Sequence, residues 1–134
     1  VKQEVEVLGR VFQAISQFEA AAAREDDVIM LGDFNADARQ LAAVATQREY
    51  LPTIVNAATN VTMTKQYDNI LLNPTYCAEF TGNSGVFDIA TYFGITTADA
   101  KRLSDHLPVW CEFNVYESGP SMTAMTAPGV PMRY

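Results

Sequence analysis

The chain has 134 residues, 49% hydrophobic and 19% charged, with a net charge of −7, which is room for one domain core or a large piece of a bigger one. An acidic balance argues against a basic nucleic-acid groove, while permitting an enzyme that meets phosphodiesters through bound divalent cations. No apolar run approaches the roughly 20 residues of a membrane span, and two cysteines define neither a disulfide framework nor a zinc site.

Residues 3–24 read as a helix: Val7, Leu8, Val11, Phe12, Ile15, Phe18 and Ala22 recur at three- and four-residue steps. The start at Val1 carries neither an initiator methionine nor a signal peptide, so a mature or fragmentary N-terminus is expected. Val28-Ile29-Met30-Leu31 is an uninterrupted apolar strand, as expected where both sheet faces are covered. Gly32 permits tight geometry as it runs into Asp33. Asp37 is placed to cap a short helix over 38–48, with Leu41, Val44 and Ala45 inward. Pro52 limits residues 50–55 to an edge or irregular segment. The polar stretch 56–66 reads as loop and leads into a strand from Tyr67 to Leu72, stopped by Asn73-Pro74.

A further strand is expected near Tyr76 to Phe80, followed by a turn over Thr81-Gly82-Asn83-Ser84-Gly85. Thr96-Thr97-Ala98-Asp99 has the form of a capping box opening a brief helix to Leu103. The last strand runs from Leu107 to Tyr116, with Val109, Cys111, Phe113 and Val115 on one face and Trp110, Glu112, Asn114 and Tyr116 on the other. Cys111 there reads as a small buried hydrophobe. Residues 117–134, rich in Ser, Gly, Pro, Met and Thr, are expected to form a flexible or extended tail.

Three polar motifs fall at strand ends: Leu31-Gly32-Asp33-Phe34-Asn35, Tyr67-Asp68-Asn69-Ile70 and Ser104-Asp105-His106-Leu107-Pro108. Each alone is as readily a turn, a cap or a structural histidine. Together they supply what metal-assisted phosphodiester hydrolysis needs. Carboxylates hold a hard divalent ion or act as bases, an amide contacts phosphate, and the chain's one histidine has a near-neutral pKa.

In order and separation these motifs resemble the second half of the endonuclease/exonuclease/phosphatase superfamily, closest to its pancreatic-type deoxyribonuclease branch. The matching runs are Gly32-Asp33-Phe34-Asn35-Ala36, Tyr67-Asp68-Asn69-Ile70 and Ser104-Asp105-His106-Leu107-Pro108-Val109, with Val86 to Ile95 between the last two. The resemblance implies an α/β fold, with residues 1–116 forming the C-terminal half of a four-layer α/β/β/α sandwich. It implies that Asp33 positions or deprotonates the attacking water, that Asn35 contacts the scissile phosphate, and that Asp68 orients His106. His106 would bind phosphate or transfer a proton, and Asp105, with Asp33, would hold Mg²⁺ or Mn²⁺.

The same resemblance implies a partner: an N-terminal half of the fold, as a separate or cleaved chain, carrying a metal-binding glutamate and a second histidine. The expected substrate is a phosphodiester, with DNA as the leading candidate, and the setting it favours is secreted or extracellular. Asn69 stands where pancreatic-type enzymes typically have a basic residue, which weakens the case for double-stranded DNA. The alternatives are a lipid or small-molecule phosphoesterase of the same superfamily and a non-catalytic binding protein that retains the half-fold.

Overall fold

The computed structural model describes residues 2–22, 27–44 and 50–116. In chain order these form α1 (Lys2–Ala22), β1 (Ile29–Asp33), α2 (Ala38–Val44), β2 (Leu51–Pro52), β3 (Asp68–Leu72), β4 (Phe80–Val86), α3 (Ile89–Phe93), α4 (Thr97–Leu103) and β5 (Val109–Phe113). The result is a mixed α/β arrangement with two small antiparallel sheets, one ordered β1-β3-β2 and the other β4-β5. No described helix is long and apolar enough to cross a membrane. The expected tail at 117–134 lies outside the described residues, as do the inward Ala45 and the end of the second predicted helix.

One face of the three-stranded sheet carries the main core. Val5, Leu8 and Phe12 of α1, Leu41 of α2 and Tyr50 pack with Phe34, Met30 and Leu71, and the Phe12 and Tyr50 rings meet edge to face at 5.3 Å. The inward stripe of α1 is therefore 5-8-12. The neighbouring stripe in the predicted apolar face (Val7, Val11, Ile15 and Phe18) stays exposed. α2 opens on a reciprocal cap: Gln40 N–H donates to Asp37 Oδ1, and Asp37 N–H donates to Gln40 Oε1, both at 2.9 Å.

β1 departs from the expectation of a strand buried on both faces. Residues paired directly across an antiparallel ladder share a face. Ile29, Leu31 and Asp33 thus lie with their partners Leu72, Ile70 and Asp68. On that face Ile29 is 39% exposed and Leu31 is 70% exposed. Their partners Ile70 and Leu72 on the same face are buried, so this face is covered over β3 and open at β1. Leu51, paired with the buried Leu72, is exposed on the other edge strand of this face.

The segment after β3 also differs from the sequence reading. Residues 74–79 form turns that start with Asn73, whose carbonyl accepts from Tyr76 and Cys77 N–H. The run 81–85, expected to be a turn, is part of β4. Pairing with β5 overrides the local preference of Gly and Asn, and the misfit appears as a register shift between Phe80 and Ser84, with Gly82 at φ 86°. β5 is shorter than the expected 107–116, but it keeps the predicted alternation: Val109, Cys111 and Phe113 are half-buried while Trp110 and Glu112 are exposed. Burial raises the Cys111 thiol pKa. α4 begins as predicted, with Asp99 N–H donating to Thr96 Oγ1 at 3.1 Å and the Thr96 hydroxyl donating to Asp99 Oδ2 at 2.7 Å. A second core, Val61, Ala100 and Leu107 with Ile89 and Ile95, fixes α3 and α4 beside the loop that carries His106.

Candidate active site

The site forms where β1 ends and β3 begins. In the antiparallel register Asp33 is the direct partner of Asp68, so both carboxylates leave the same face of the sheet. Like charges placed directly opposite each other are destabilising. The side chain that meets both is His106. Its Nδ1 lies 2.8 Å from Asp68 Oδ2 and its Nε2 lies 3.9 Å from Asp33 Oδ2. An ionised carboxylate only accepts, so Nδ1 carries the proton and Nε2 faces Asp33.

His106 reaches this position because its loop is laced to residues 59–61. Leu107 N–H donates to the Thr59 carbonyl at 2.7 Å, Val61 N–H donates to the Asp105 carbonyl at 2.9 Å, and Asn60 forms an isolated antiparallel bridge with His106. Ser104 Oγ accepts from His106 N–H at 3.0 Å, and the Tyr67 ring lies 5.6 Å from the imidazole. The histidine pKa is raised, first by the hydrogen bond to Asp68 and then by the charges of Asp68, Asp33 and Asp105, against an opposing desolvation effect.

Asp33 is also held from its own loop. Asn35, at φ 48°, turns its backbone N–H onto Asp33 Oδ1 at 2.9 Å, and Phe34 N–H donates to the Tyr67 carbonyl at 2.8 Å. Asn and Asp adopt this left-handed conformation more readily than most residues. The side chains of Asp33, Asp68 and His106 are thus in one cluster. Asn35 borders it and joins through its backbone, and Asp105 stands next to His106 and acts on the ring through its charge. Beside Asn35 opens a cleft of about 550 Å³ whose lining includes Arg39, Lys65, Asn56, Gln66 and Tyr67.

Two residues take on meanings the sequence did not supply. Asn69, singled out as a substitution for a basic substrate-side residue, is 0% exposed and points to the opposite face from Asp68. Its Oδ1 accepts from Ile54 N–H at 3.1 Å and its Nδ2 donates to the Ile54 carbonyl at 2.8 Å, so it serves as a strand-like partner for residue 54. The expectation that this position bears on DNA contact is corrected: a buried amide bonded to backbone does not reach a substrate. Thr59, in a stretch read only as polar loop, is also 0% exposed and its hydroxyl touches Asp68. Only a threonine inside a run of threonines and asparagines marks it in the sequence, and that pattern is too common to single it out.

Among the described residues, no group of three or more His, Cys, Asp or Glu side chains is arranged to hold a metal ion. Asp33, facing His106, and Asp105, its chain neighbour, carry hard oxygen donors. A pair of carboxylates suits Mg²⁺, which dehydrates reluctantly and is commonly bound through one or two carboxylates with several waters.

Comparison with known proteins bears on this geometry. No protein-family model matches the chain. Curated relatives do: deoxyribonuclease-1-like 1 of Sus scrofa is 34% identical over 128 residues, covering 85% of this chain and 38% of the relative. The protein of the same name in Rattus norvegicus is 32% identical, covering 89% and 40% respectively. That of Homo sapiens is 30% identical, covering 88% and 41%. The chain spans about two fifths of the length of the curated relatives it matches.

Proposed function

Starting from a chain related over a partial region to the deoxyribonuclease-1-like proteins of the endonuclease/exonuclease/phosphatase superfamily, we propose that it supplies half of a divalent-metal-dependent phosphodiesterase site, most closely that of a DNA endonuclease. The observation that carries this reading is His106 set between the cross-strand carboxylates Asp33 and Asp68.

In this reading, the 3.9 Å gap between Asp33 Oδ2 and His106 Nε2 is too long for a direct hydrogen bond. It lets one water bond to both groups at about 2.8 Å each. Asp33 orients the attacking water and takes its proton. His106, fixed by Asp68 and protonated on both nitrogens, donates Nε2–H to a non-bridging phosphate oxygen or gives that proton to the leaving oxygen as the P–O bond breaks, ending as the neutral Nδ1–H ring. Asn35 contacts the same phosphate from the rim. Asp105 and Asp33 would hold Mg²⁺ or Mn²⁺, which would neutralise charge at the phosphate.

Two features support a polynucleotide and a second layer. The cleft beside Asn35 brings Arg39 and Lys65 to the flank of the phosphate position, where a neighbouring phosphate of a strand would lie. Ile29, Leu31 and Leu51 are exposed apolar side chains on the two edge strands, on the face that carries Asp33 and Asp68. An N-terminal half of the fold, in the same polypeptide or a separate one, would cover those side chains and complete the sandwich and the cleft. We extend the family relationship to a secreted or extracellular setting.

The test is hydrolysis by the completed assembly of plasmid DNA, a phosphoinositide and a small nitrophenyl phosphodiester, with Mg²⁺ and with a chelator, for the wild type and His106→Ala. Metal-dependent DNA nicking lost in His106→Ala supports the nuclease. Turnover confined to the phosphoinositide or the small diester moves the assignment to the other phosphoesterases. Binding without turnover moves it to a non-catalytic protein.

A further inference from the structure

We infer that Thr59 is a positioning residue, one whose buried hydroxyl sets the Asp68 carboxylate and, through it, the direction in which His106 presents Nε2. The inference rests on the hydrolytic reading only for its consequence on turnover; the positioning itself is a property of the chain.

A hydroxyl has one proton to donate and two lone pairs to accept with. At Thr59 all three are used. Tyr67 N–H donates to Oγ1 at 2.9 Å and Asp68 N–H donates to it at 3.0 Å, so both lone pairs are taken by the backbone at the start of β3. The hydroxyl proton is thereby directed to Asp68 Oδ2, 2.7 Å away. That oxygen is also the one that accepts from His106 Nδ1 at 2.8 Å.

The Thr59 backbone is clamped as well. Its N–H donates to the Lys65 carbonyl at 2.8 Å, and its carbonyl accepts from Leu107 N–H at 2.7 Å. One residue therefore ties the strand that bears Asp68 to the loop that bears His106. Thr59→Val keeps these backbone ties while removing the hydroxyl from Asp68 and from the Tyr67 and Asp68 N–H groups; Thr59→Ser keeps all three contacts. Without the hydroxyl Oδ2 loses one of two donors, the carboxylate can rotate about its last torsion, and the imidazole loses its fixed acceptor.

The single histidine of the chain makes this measurable without turnover. With selectively ¹⁵N-labelled histidine in the 134-residue chain, at a pH where the ring is neutral, the nitrogen shifts report which nitrogen is protonated. The wild type is expected to show the Nδ1–H form, Thr59→Ser to reproduce it, and Thr59→Val to move toward a mixture of tautomers. In an Asp68→Asn background, Thr59→Val should cause no further change.

In the completed assembly Thr59→Val is expected to lower kcat by about 10- to 100-fold with KM little changed, and Thr59→Ser to restore it. A folded Thr59→Val chain with the wild-type nitrogen pattern overturns the inference. If that variant does not fold, the wild-type hydroxyl proton decides it. A slowly exchanging Thr59 resonance close to the His106 ring upholds the assignment, and a rapidly exchanging one overturns it. Absence of hydrolysis in every variant would overturn the proposed function, while the role of Thr59 would still be decided by the nitrogen pattern.

Discussion

Asp33 and Asp68 are direct cross-strand partners, two carboxylates on one face at the end of an antiparallel ladder. A strand pair selected for stability alone would avoid that arrangement. His106 offsets it by hydrogen bonding to one carboxylate and facing the other. The same three groups that relieve the repulsion provide the base, acid and orienting carboxylate of the proposed chemistry.

Replacing the histidine should be the most costly single change for turnover. In the completed assembly, His106→Ala is expected to lower kcat by about 10²- to 10⁴-fold, the usual contribution of a positioned acid or base. Asp68→Asn is expected to cost about 10- to 100-fold, because the amide can hold the ring only in a weaker or inverted arrangement. Steady-state kinetics on both variants, with circular dichroism to establish that each is folded, checks this.

Stability should depend on pH with a definite sign. The folded-state pKa of His106 is raised, so the folded chain holds the ring proton more tightly than the unfolded one. The resulting stabilisation is fully present below the ordinary histidine value of about 6.5 and is lost as pH rises through the elevated folded value. Urea midpoints of wild type and His106→Gln measured across that window should converge on the alkaline side. A gap that widens with rising pH would show that the ring is not held as its cation.

Asn69→Ala should damage the fold and leave the site's chemistry in place. The change leaves the buried Ile54 N–H without its side-chain partner, while the Ile54 carbonyl keeps the donor Gln66 Nε2 at 2.6 Å. The expected cost is about 1–3 kcal/mol, read from chemical denaturation. An unchanged midpoint would mean that solvent reaches Ile54.

Arg39 and Lys65 should set the salt dependence of nucleic-acid binding. If each contacts one phosphate along the cleft, replacing either with Ala should reduce the slope of log K against log salt by about 0.7 for a single strand and 0.9 for a duplex. Fluorescence anisotropy over a salt series measures this, and an unchanged slope would place the strand elsewhere.

How far the sequence revealed this arrangement depended on whether a signal was local. Asp37 and the Thr96–Asp99 box act on residues three apart, so the sequence alone located the starts of α2 and α4, while the reciprocal bond from Gln40 emerged only in the fold. The alternation of Val109, Cys111 and Phe113 located β5 for the same reason. β4 was not legible, because Thr81 to Gly85 carry turn preferences and become a strand only through pairing with β5. α3 was missed as well: its five residues are too few for a periodic pattern, and it depends on the Asp88 cap and on Gly94 in the left-handed region.

The three polar motifs were visible as strand ends, but the feature that joins them was not. Thr59 lies nine residues before Asp68 in a polar loop, and its importance comes from three hydrogen bonds that only the folded chain brings together. Asn69 shows the reverse case, a residue conspicuous in the motif whose side chain faces the core.

The most direct test joins residues 1–116 of this chain to the portion of the Sus scrofa relative that this chain does not match, and measures Mg²⁺-dependent cleavage of DNA. The account predicts cleavage by the folded chimera that chelation or His106→Ala abolishes, with the 134-residue chain alone near background. A folded chimera that cleaves no faster than its His106→Ala form, with either Mg²⁺ or Mn²⁺, would contradict the assignment of Asp33, Asp68 and His106 to phosphodiester hydrolysis.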